Sequence, residues 1–297
     1  MTLRGALSCR DWRGKLLIFA LLLAIAPQLP ALNPTWTKPF PPFRIAGNLY
    51  YVGSEDLASY LIVTPKGNIL INSSLESSVP LIRRSVEGLG FKFSDTKILL
   101  ISHAHYDHCA GSAKVKQITG AKYYVMDADV PVVESGGKAD FQYGSDPSMQ
   151  FPPAKVDRVL HDGDTVRLGG VVLIAHKTAG HTKGTTTWTM DLPQHGETLH
   201  VVIVGSPNVN PGYKLVGNEK YPQIAGDYKH GFEVLKSLPC DIFLGAHGGY
   251  YGLEEKYARR KKGERDVFID PDSYKSYIAD REQAFEAELA RQAAQKR

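Results

Sequence analysis

The feature that most restricts how this chain can fold is a short apolar run that stops at a cluster of metal-binding side chains. Residues 98–101 read as a buried strand, and they open directly into Ser102-His103-Ala104-His105-Tyr106-Asp107-His108. Side chains two apart along an extended segment face the same way, so His103 and His105 can grip one ion. Asp107 and His108 follow where the chain turns toward a helix, and they can address a neighbouring position. Three imidazoles and a carboxylate this close together make a poor core. Without an ion they leave polar groups to satisfy, and they repel one another when protonated.

The remaining pattern alternates short strands with helices. Strands are expected at 49–52, 60–64, 68–71, 122–126, 165–168, 171–176, 185–190, 199–204 and 241–244. Helices are expected over 79–89, around 111–119 and 227–238, and from a cap at Asp272 or Ser273 to the C-terminus, with Tyr274, Ile278, Phe285 and Leu289 near one face. Two blocks of strands, each followed by helix, imply two sheets packed face to face with helices outside, a mixed α/β fold. Segment 135–153 breaks the texture: it is rich in Gly, Pro and Ser yet carries Phe141, Tyr143, Met149 and Phe151. It reads either as a lid or as a surface loop pinned by its aromatics.

At 297 residues, 43% hydrophobic and 22% charged, the composition suits a globular chain and excludes a disordered one. Of the formal net charge of +4, +3 lies in residues 1–15, leaving 31 basic against 30 acidic side chains. That balance gives no reason to expect nucleic acid or an anionic membrane surface as a partner. The basic start precedes an eleven-residue apolar run, 16–26, then Pro27 and small residues. Spanning a bilayer takes about 20 residues, so 1–31 is read as a signal peptide cleaved after Ala26 or Ala31. The mature chain is then a single exported domain, 32–297, in the periplasm, with a Pro-rich arm at 32–43. It is expected to be a monomer with no stable membrane association. Cys9 leaves with the signal, and Cys109 and Cys240 are expected to stay unpaired, since separated elements seldom meet disulfide geometry.

H-x-H-x-D-H after a buried strand resembles the metallo-β-lactamase superfamily, whose four-layer αβ/βα sandwich agrees with the element order above. The resemblance implies two further histidine ligands. Gly180-His181-Thr182 and Gly245-Ala246-His247-Gly248 sit in Gly-flanked loops just past apolar strands. Site one is then His103, His105 and His181, and site two is Asp107, His108 and His247, together holding two Zn2+. His176 is expected to be a hydrogen-bonded core or supporting residue. His161, His195, His200 and His230 are expected at the surface or in structural roles.

Within the superfamily, hydrolases of thioesters, lactones and phosphodiesters generally carry a metal-bridging aspartate after the strand at 199–204, where this chain has Gly205-Ser206-Pro207. Serine there is similar to subclass B3 β-lactamases. So are Val209-Asn210-Pro211-Gly212-Tyr213-Lys214-Leu215, Tyr221-Pro222, Asp227-Tyr228 and Leu238-Pro239-Cys240-Asp241-Ile242. One departure is the lack of a cysteine partner for Cys240 near the C-terminal helix. The resemblance implies a zinc hydrolase that opens the β-lactam ring of antibiotics by attack of a zinc-bound hydroxide, with Asp107 orienting that nucleophile. Ser206, Asn210, Tyr213 and Tyr106 are the expected substrate-binding residues; for Asn210 and Tyr213, turn-forming and packing roles remain equally open. A lactonase or thioesterase on the same site is the alternative. A nuclease is disfavoured by charge, and a purely structural zinc protein would have closed sites with no position for water.

Overall fold

The computed structural model describes residues 33–194 and 196–295. The segment read as a signal peptide, its expected cleavage site, Cys9 and His195 lie outside them. A seven-stranded sheet runs in chain order: β1 (Phe43–Ala46), β2 (Leu49–Tyr51), β3 (Tyr60–Thr64), β4 (Gly67–Ile71), β5 (Thr96–Leu100), β6 (Lys122–Met126) and β7 (Arg158–Leu160). The first four pair antiparallel, and β4 through β7 pair in parallel. The second sheet has five strands in the order β12 (Ile242–Gly245), β11 (Glu197–Val204), β10 (Thr186–Gln194), β9 (Val171–Lys177), β8 (Thr165–Leu168). Helices α1 (Val79–Gly88), α2 (Tyr106–Cys109), α3 (Ser112–Thr119) and α4 (Val130–Glu134) belong to the first half. Helices α5 (Ile224–Ser237), α6 (Leu253–Lys261) and α7 (Pro271–Gln295) belong to the second. No helix among the described residues is long and apolar enough to cross a membrane.

Two apolar clusters show why these layers form. One joins the two sheets through Tyr51, Tyr60, Ile71, Leu100, Trp188, Val201, Ile203 and Phe243. The other lies on the opposite face of the first sheet, where Leu61, Leu70, Leu99, Tyr123 and Val125 meet Val79, Ile82 and Val86 of α1 and Val115 of α3. A parallel strand covered on both faces needs a continuous apolar run, and β5 supplies one, with only Lys97 exposed. The β3–β4 hairpin closes at Gly67, whose φ of 113° is strained for any side chain. In the second half, Phe285 of α7 stacks on Tyr228 of α5, and Tyr274 of α7 packs on Phe243 of β12. The result is a four-layer αββα sandwich.

Several boundaries differ from the sequence reading. The arm is not wholly irregular. Asn33 Oδ1 accepts the Thr35 N–H and starts a single 3-10 turn at Pro34–Trp36. The C-terminal helix is begun by neither Asp272 nor Ser273: Asp270 accepts both the N–H and the hydroxyl of Ser273. Strands β1 and β7, only four and three residues long, were not anticipated, nor was α6 with its strongly charged sequence LEEKYARRK. Cys109 and Cys240 are both free thiols, Cys109 buried and Cys240 half-buried.

Two hydrogen bonds fasten the sheets along one edge. The Trp188 indole of β10 donates to the carbonyl of Ile101 just past β5, at 3.0 Å. The Tyr60 hydroxyl of β3 donates to the carbonyl of Gly245 at the end of β12, at 2.7 Å. The ends of β5 and β12 are therefore fixed at the edge where both histidine loops leave.

Candidate metal centre

Every candidate ligand departs from that edge. His103 and His105 occupy the loop after β5, and Asp107 and His108 the single turn of α2. His181 lies between β9 and β10, and His247 follows β12. The loops hold their shape for local reasons. Asn72, at φ 64°, turns its amide onto the residue before the first ligand. Its Oδ1 accepts Ser102 N–H at 2.8 Å, and its Nδ2 donates to Ser102 Oγ at 3.0 Å. Gly180 has φ 135°, and a Cβ there would stand 2.6 Å from the Tyr228 ring, so only glycine lets the His181 loop lie down on that ring. The buried Asp129 carboxylate clamps two loops together. It accepts Ala104 N–H at 2.8 Å, Thr182 Oγ1–H at 2.8 Å and Gly184 N–H at 2.9 Å.

Donor atoms of His103, His105 and His181 all lie within 4.8 Å of one another, and their rings meet edge to face with centroids 4.6–4.9 Å apart. Beside them Asp107 Oδ2 is 3.2 Å from His108 Nε2 and 3.6 Å from His247 Nε2, while those two nitrogens are 3.2 Å apart. Asp107 and His108 also lie within 4.8 Å of a His103 nitrogen, so the two groups are adjacent. Both ring nitrogens of His103 and Nδ1 of His108 are buried without a hydrogen-bond partner among the described residues. Buried polar groups are normally satisfied, and an ion in the first cluster would satisfy one nitrogen of the His103 ring. Imidazole and carboxylate donors in two sets of three match zinc.

The electrostatics agree. Burial holds His103 and His181 well below the ordinary imidazole range, with neighbouring rings adding to the effect. His105 is pushed down to about 4 by burial, and His108 is lowered for the same reason. Neutral imidazoles are the form a metal binds. Burial would raise Asp107, but the surrounding histidines outweigh it and hold its carboxyl well below the usual range. His247 goes the other way. Burial opposes its charge, yet the hydrogen bond to Asp56 and the charge of Asp107 lift it.

Outer partners orient the rings. His181 Nδ1 donates to the carbonyl of Asn208 at 2.8 Å, and His247 Nδ1 to Asp56 Oδ2 at 2.9 Å, so each keeps Nε2 free. His105 Nε2 faces Asp140 Oδ2 at 3.8 Å, a buried oxygen with no hydrogen-bond partner. Such partners fix the tautomer and raise ligand basicity.

Above the clusters lies a cavity of about 410 Å³, with His105, Asp107, His181 and His247 among its lining residues. Trp36, Tyr106, Tyr143, Met149 and Phe151 supply apolar wall, and Asn208, Asn210 and Tyr250 supply polar groups. Segment 135–153 is both pinned and part of the wall. Phe141 packs edge-on against Tyr213 and Tyr221, while Met149 and Phe151 face the cavity.

The four expected substrate contacts divide. Tyr106 and Asn210 line the cavity, with Asn210 Nδ2 donating to Tyr143 Oη at 3.1 Å. Tyr213 and Ser206 do not. Tyr213 is 2% exposed and its hydroxyl donates to the His181 carbonyl at 2.8 Å; Ser206 is 1% exposed and bonds Tyr250 Oη at 3.1 Å. Apolar packing draws the Tyr213 ring inward, so these two side chains support ligand loops and leave the cavity to others. His176 bonds Thr189 Oγ1 at 2.9 Å, His161 and His230 are exposed, and His200 pairs with Asp191. Sequence reasoning missed Trp36, Asp56, Asp129, Asp140 and Asn208. Each acts through a fold-dependent approach, and only the aromatic Trp36 in a polar arm carried a local signal.

A sequence profile described as the metallo-beta-lactamase superfamily matches residues 57–191. The native FEZ-1 metallo-beta-lactamase from Legionella gormanii is 61% identical, with 86% of this chain and 98% of that one covered at a TM-score of 0.86. LRA-12, a class B3 di-zinc metallo-beta-lactamase from an Alaskan soil metagenome, is 38% identical, covering 88% and 98% at a TM-score of 0.83. A probable hydroxyacylglutathione hydrolase of Schizosaccharomyces pombe is 25% identical over 173 residues, 57% of this chain and 56% of that protein. The chain spans about a third to just over half the length of the curated relatives it matches first.

Proposed function

Because this chain belongs to the metallo-beta-lactamase superfamily, and is similar over almost their whole length to class B3 enzymes, we propose that it is a β-lactamase holding two zinc ions and opening the β-lactam ring. The observation that carries this reading is the pair of adjacent donor groups, His103, His105 and His181 beside Asp107, His108 and His247, under a largely apolar cavity of about 410 Å³, large enough for one small bicyclic substrate. His103, His105 and His181 would hold the first ion, and Asp107, His108 and His247 the second. Zinc bound there supplies Lewis acidity, polarising a carbonyl and making water acidic enough to be a nucleophile near neutral pH.

The chain's own groups do the rest. Asp107 stays ionised and can accept a hydrogen bond from the attacking water at the cavity floor, which orients the water's lone pair. Trp36, Met149 and Phe151 exclude bulk water from the ring and strengthen every polar contact below them. No Lys or Arg stands among the described residues that line the cavity. A substrate carboxylate would then be held by the neutral amides of Asn208 and Asn210 and by the ions themselves. Export through residues 1–31, action as a periplasmic monomer on a small-molecule substrate, and a part in antibiotic resistance belong to the same proposal.

A second reading, hydrolysis of thioesters, draws on the match to the hydroxyacylglutathione hydrolase. Against it, Gly205-Ser206-Pro207 offers no carboxylate at the end of β11. The test is turnover of a chromogenic cephalosporin and of an acyl-glutathione side by side, with and without a chelator. Cephalosporin hydrolysis abolished by chelation and restored by zinc is expected. Thioester turnover without β-lactam turnover would overturn the assignment.

A further inference from the structure

One carboxylate oxygen links the cavity wall to a metal ligand. Asp56 Oδ2 accepts both His247 Nδ1–H at 2.9 Å and the Trp36 indole Nε1–H at 3.1 Å, while its Oδ1 accepts Gly249 N–H at 3.2 Å. The indole lies tilted against the His247 ring with centroids 6.2 Å apart, and edge-on to Tyr106 at 5.9 Å. The arm that carries Trp36 is anchored on the same turn. Glu55 N–H donates to Lys38 O at 3.0 Å, Asp56 N–H to Thr35 O at 3.3 Å, and Lys38 pairs with Glu55.

Resting on the metal-site reading above, we propose that Asp56 is a positioning residue coupling the N-terminal arm to the second metal position. It holds His247 with Nε2 toward the ion and Trp36 in the wall through the same atom. Three N–H donors converge on this side chain, so it must be an acceptor at both ends. An amide cannot satisfy them: in either orientation its NH2 meets an N–H. An ion at Nε2 withdraws electrons from the His247 ring and makes its Nδ1–H a stronger donor. That draws the carboxylate, and with it the indole, into a tighter arrangement. Coupling of this kind is reciprocal, so the state of the arm must alter the affinity for the second ion.

The experiment titrates the metal-free full chain with zinc alone against a competing chelator while recording tryptophan emission. The difference between wild type and Trp36→Phe isolates the Trp36 signal. In the wild type, that signal should change with the second equivalent of zinc and not with the first. Asp56→Asn should weaken the second position by about 10–100-fold, the range for lost outer-sphere partners. The first position should be unchanged, and the Trp36 response should be gone even when both positions are filled. Wild-type affinity in Asp56→Asn, or a Trp36 response that survives in the saturated variant, would overturn the proposal. If Asp56→Asn does not fold, Trp36→Phe decides alone: a shift in second-position affinity of at least about threefold supports coupling, and no shift refutes it. Turnover of β-lactams by the wild type tests the function separately, so the two readings can fail independently.

Discussion

At the scale of single residues, the sharpest test falls on Asp107. It is the one carboxylate in the donor set, it is buried, and its oxygen lies within 3.6 Å of both His108 and His247. Asp107→Asn keeps the shape and removes the charge. We expect the second ion to weaken and turnover to fall by more than the 10–100-fold of an outer-sphere loss. Zinc analysis and kinetics on the same preparation check this; full turnover with two ions bound would remove Asp107 from the site. Four of the proposed ligands, His103, His105, Asp107 and His108, were legible in the sequence because they crowd the end of one strand, whereas His181 and His247 entered only through the resemblance to the superfamily. Asp56 and Asp140 were not legible, since an isolated aspartate reads as a turn former until the fold brings a histidine to it. Tyr213 and Ser206 were expected at the substrate, and what turns them inward is the loop holding Phe141, which packs on Tyr213, and the 3-10 turn at Gly248–Tyr250, which bonds Ser206; no local pattern encodes either contact.

At the scale of elements, several apolar strands were read nearly to the residue: β3 and β6 fall at their expected limits, and β5 and β11 within two residues, whereas β10 runs four residues past its expected end at 190. Period and burial write such strands directly into the sequence. Strands β1 and β7 escaped because three or four residues at a sheet edge give no periodicity, and α6 because its charged face outweighs its two buried residues. The connections between elements were the least legible part, and Asp129 shows why. It sits at the start of α4, yet it fixes the loop after β5 to the loop after β9 through three donors. Asp129→Asn replaces one acceptor oxygen with an NH2 that must face a donor. A cost of about 1–3 kcal/mol is expected for the unsatisfied group, together with weaker zinc binding at the first position, whose ligands come from both loops. Urea unfolding of the metal-free protein measures the first effect, and chelator competition measures the second. Lost stability with wild-type zinc affinity would mean that the clamp supports the fold without shaping the site.

At the scale of the whole molecule, the metal centre is a store of buried titratable groups, which makes stability depend on pH and on metal together. In the metal-free protein, burial keeps His103, His181 and His108 below the ordinary imidazole value and His105 at about 4. Unfolding returns each ring to roughly 6.5, so below that pH the unfolded chain binds protons that the folded chain refuses. The stability these rings contribute is complete above about pH 6.5 and is lost as the pH falls from there toward each folded value. By pH 5 the loss from His105 alone is on the order of 2 kcal/mol, and the other three rings add to it in the same direction. Three groups oppose it. Burial raises Asp129 to about 6 and also raises Asp140, so both take up protons in the folded state first, and His247 is lifted by Asp56 and gains stability as it charges. The four buried rings, which must all charge on unfolding, are expected to outweigh these and leave a net loss on acidification. Zinc changes the balance, because a coordinated nitrogen cannot be protonated until the ion leaves, and binding only the folded state adds stability by mass action. The expectation is a melting temperature that falls steeply between pH 7 and pH 5 for chelated protein and stays nearly level with excess zinc until the ions dissociate. Thermal unfolding across that range, with chelator or with zinc, decides it. Parallel curves separated by a constant offset would show that the buried rings are hydrated and titrate alike in both states.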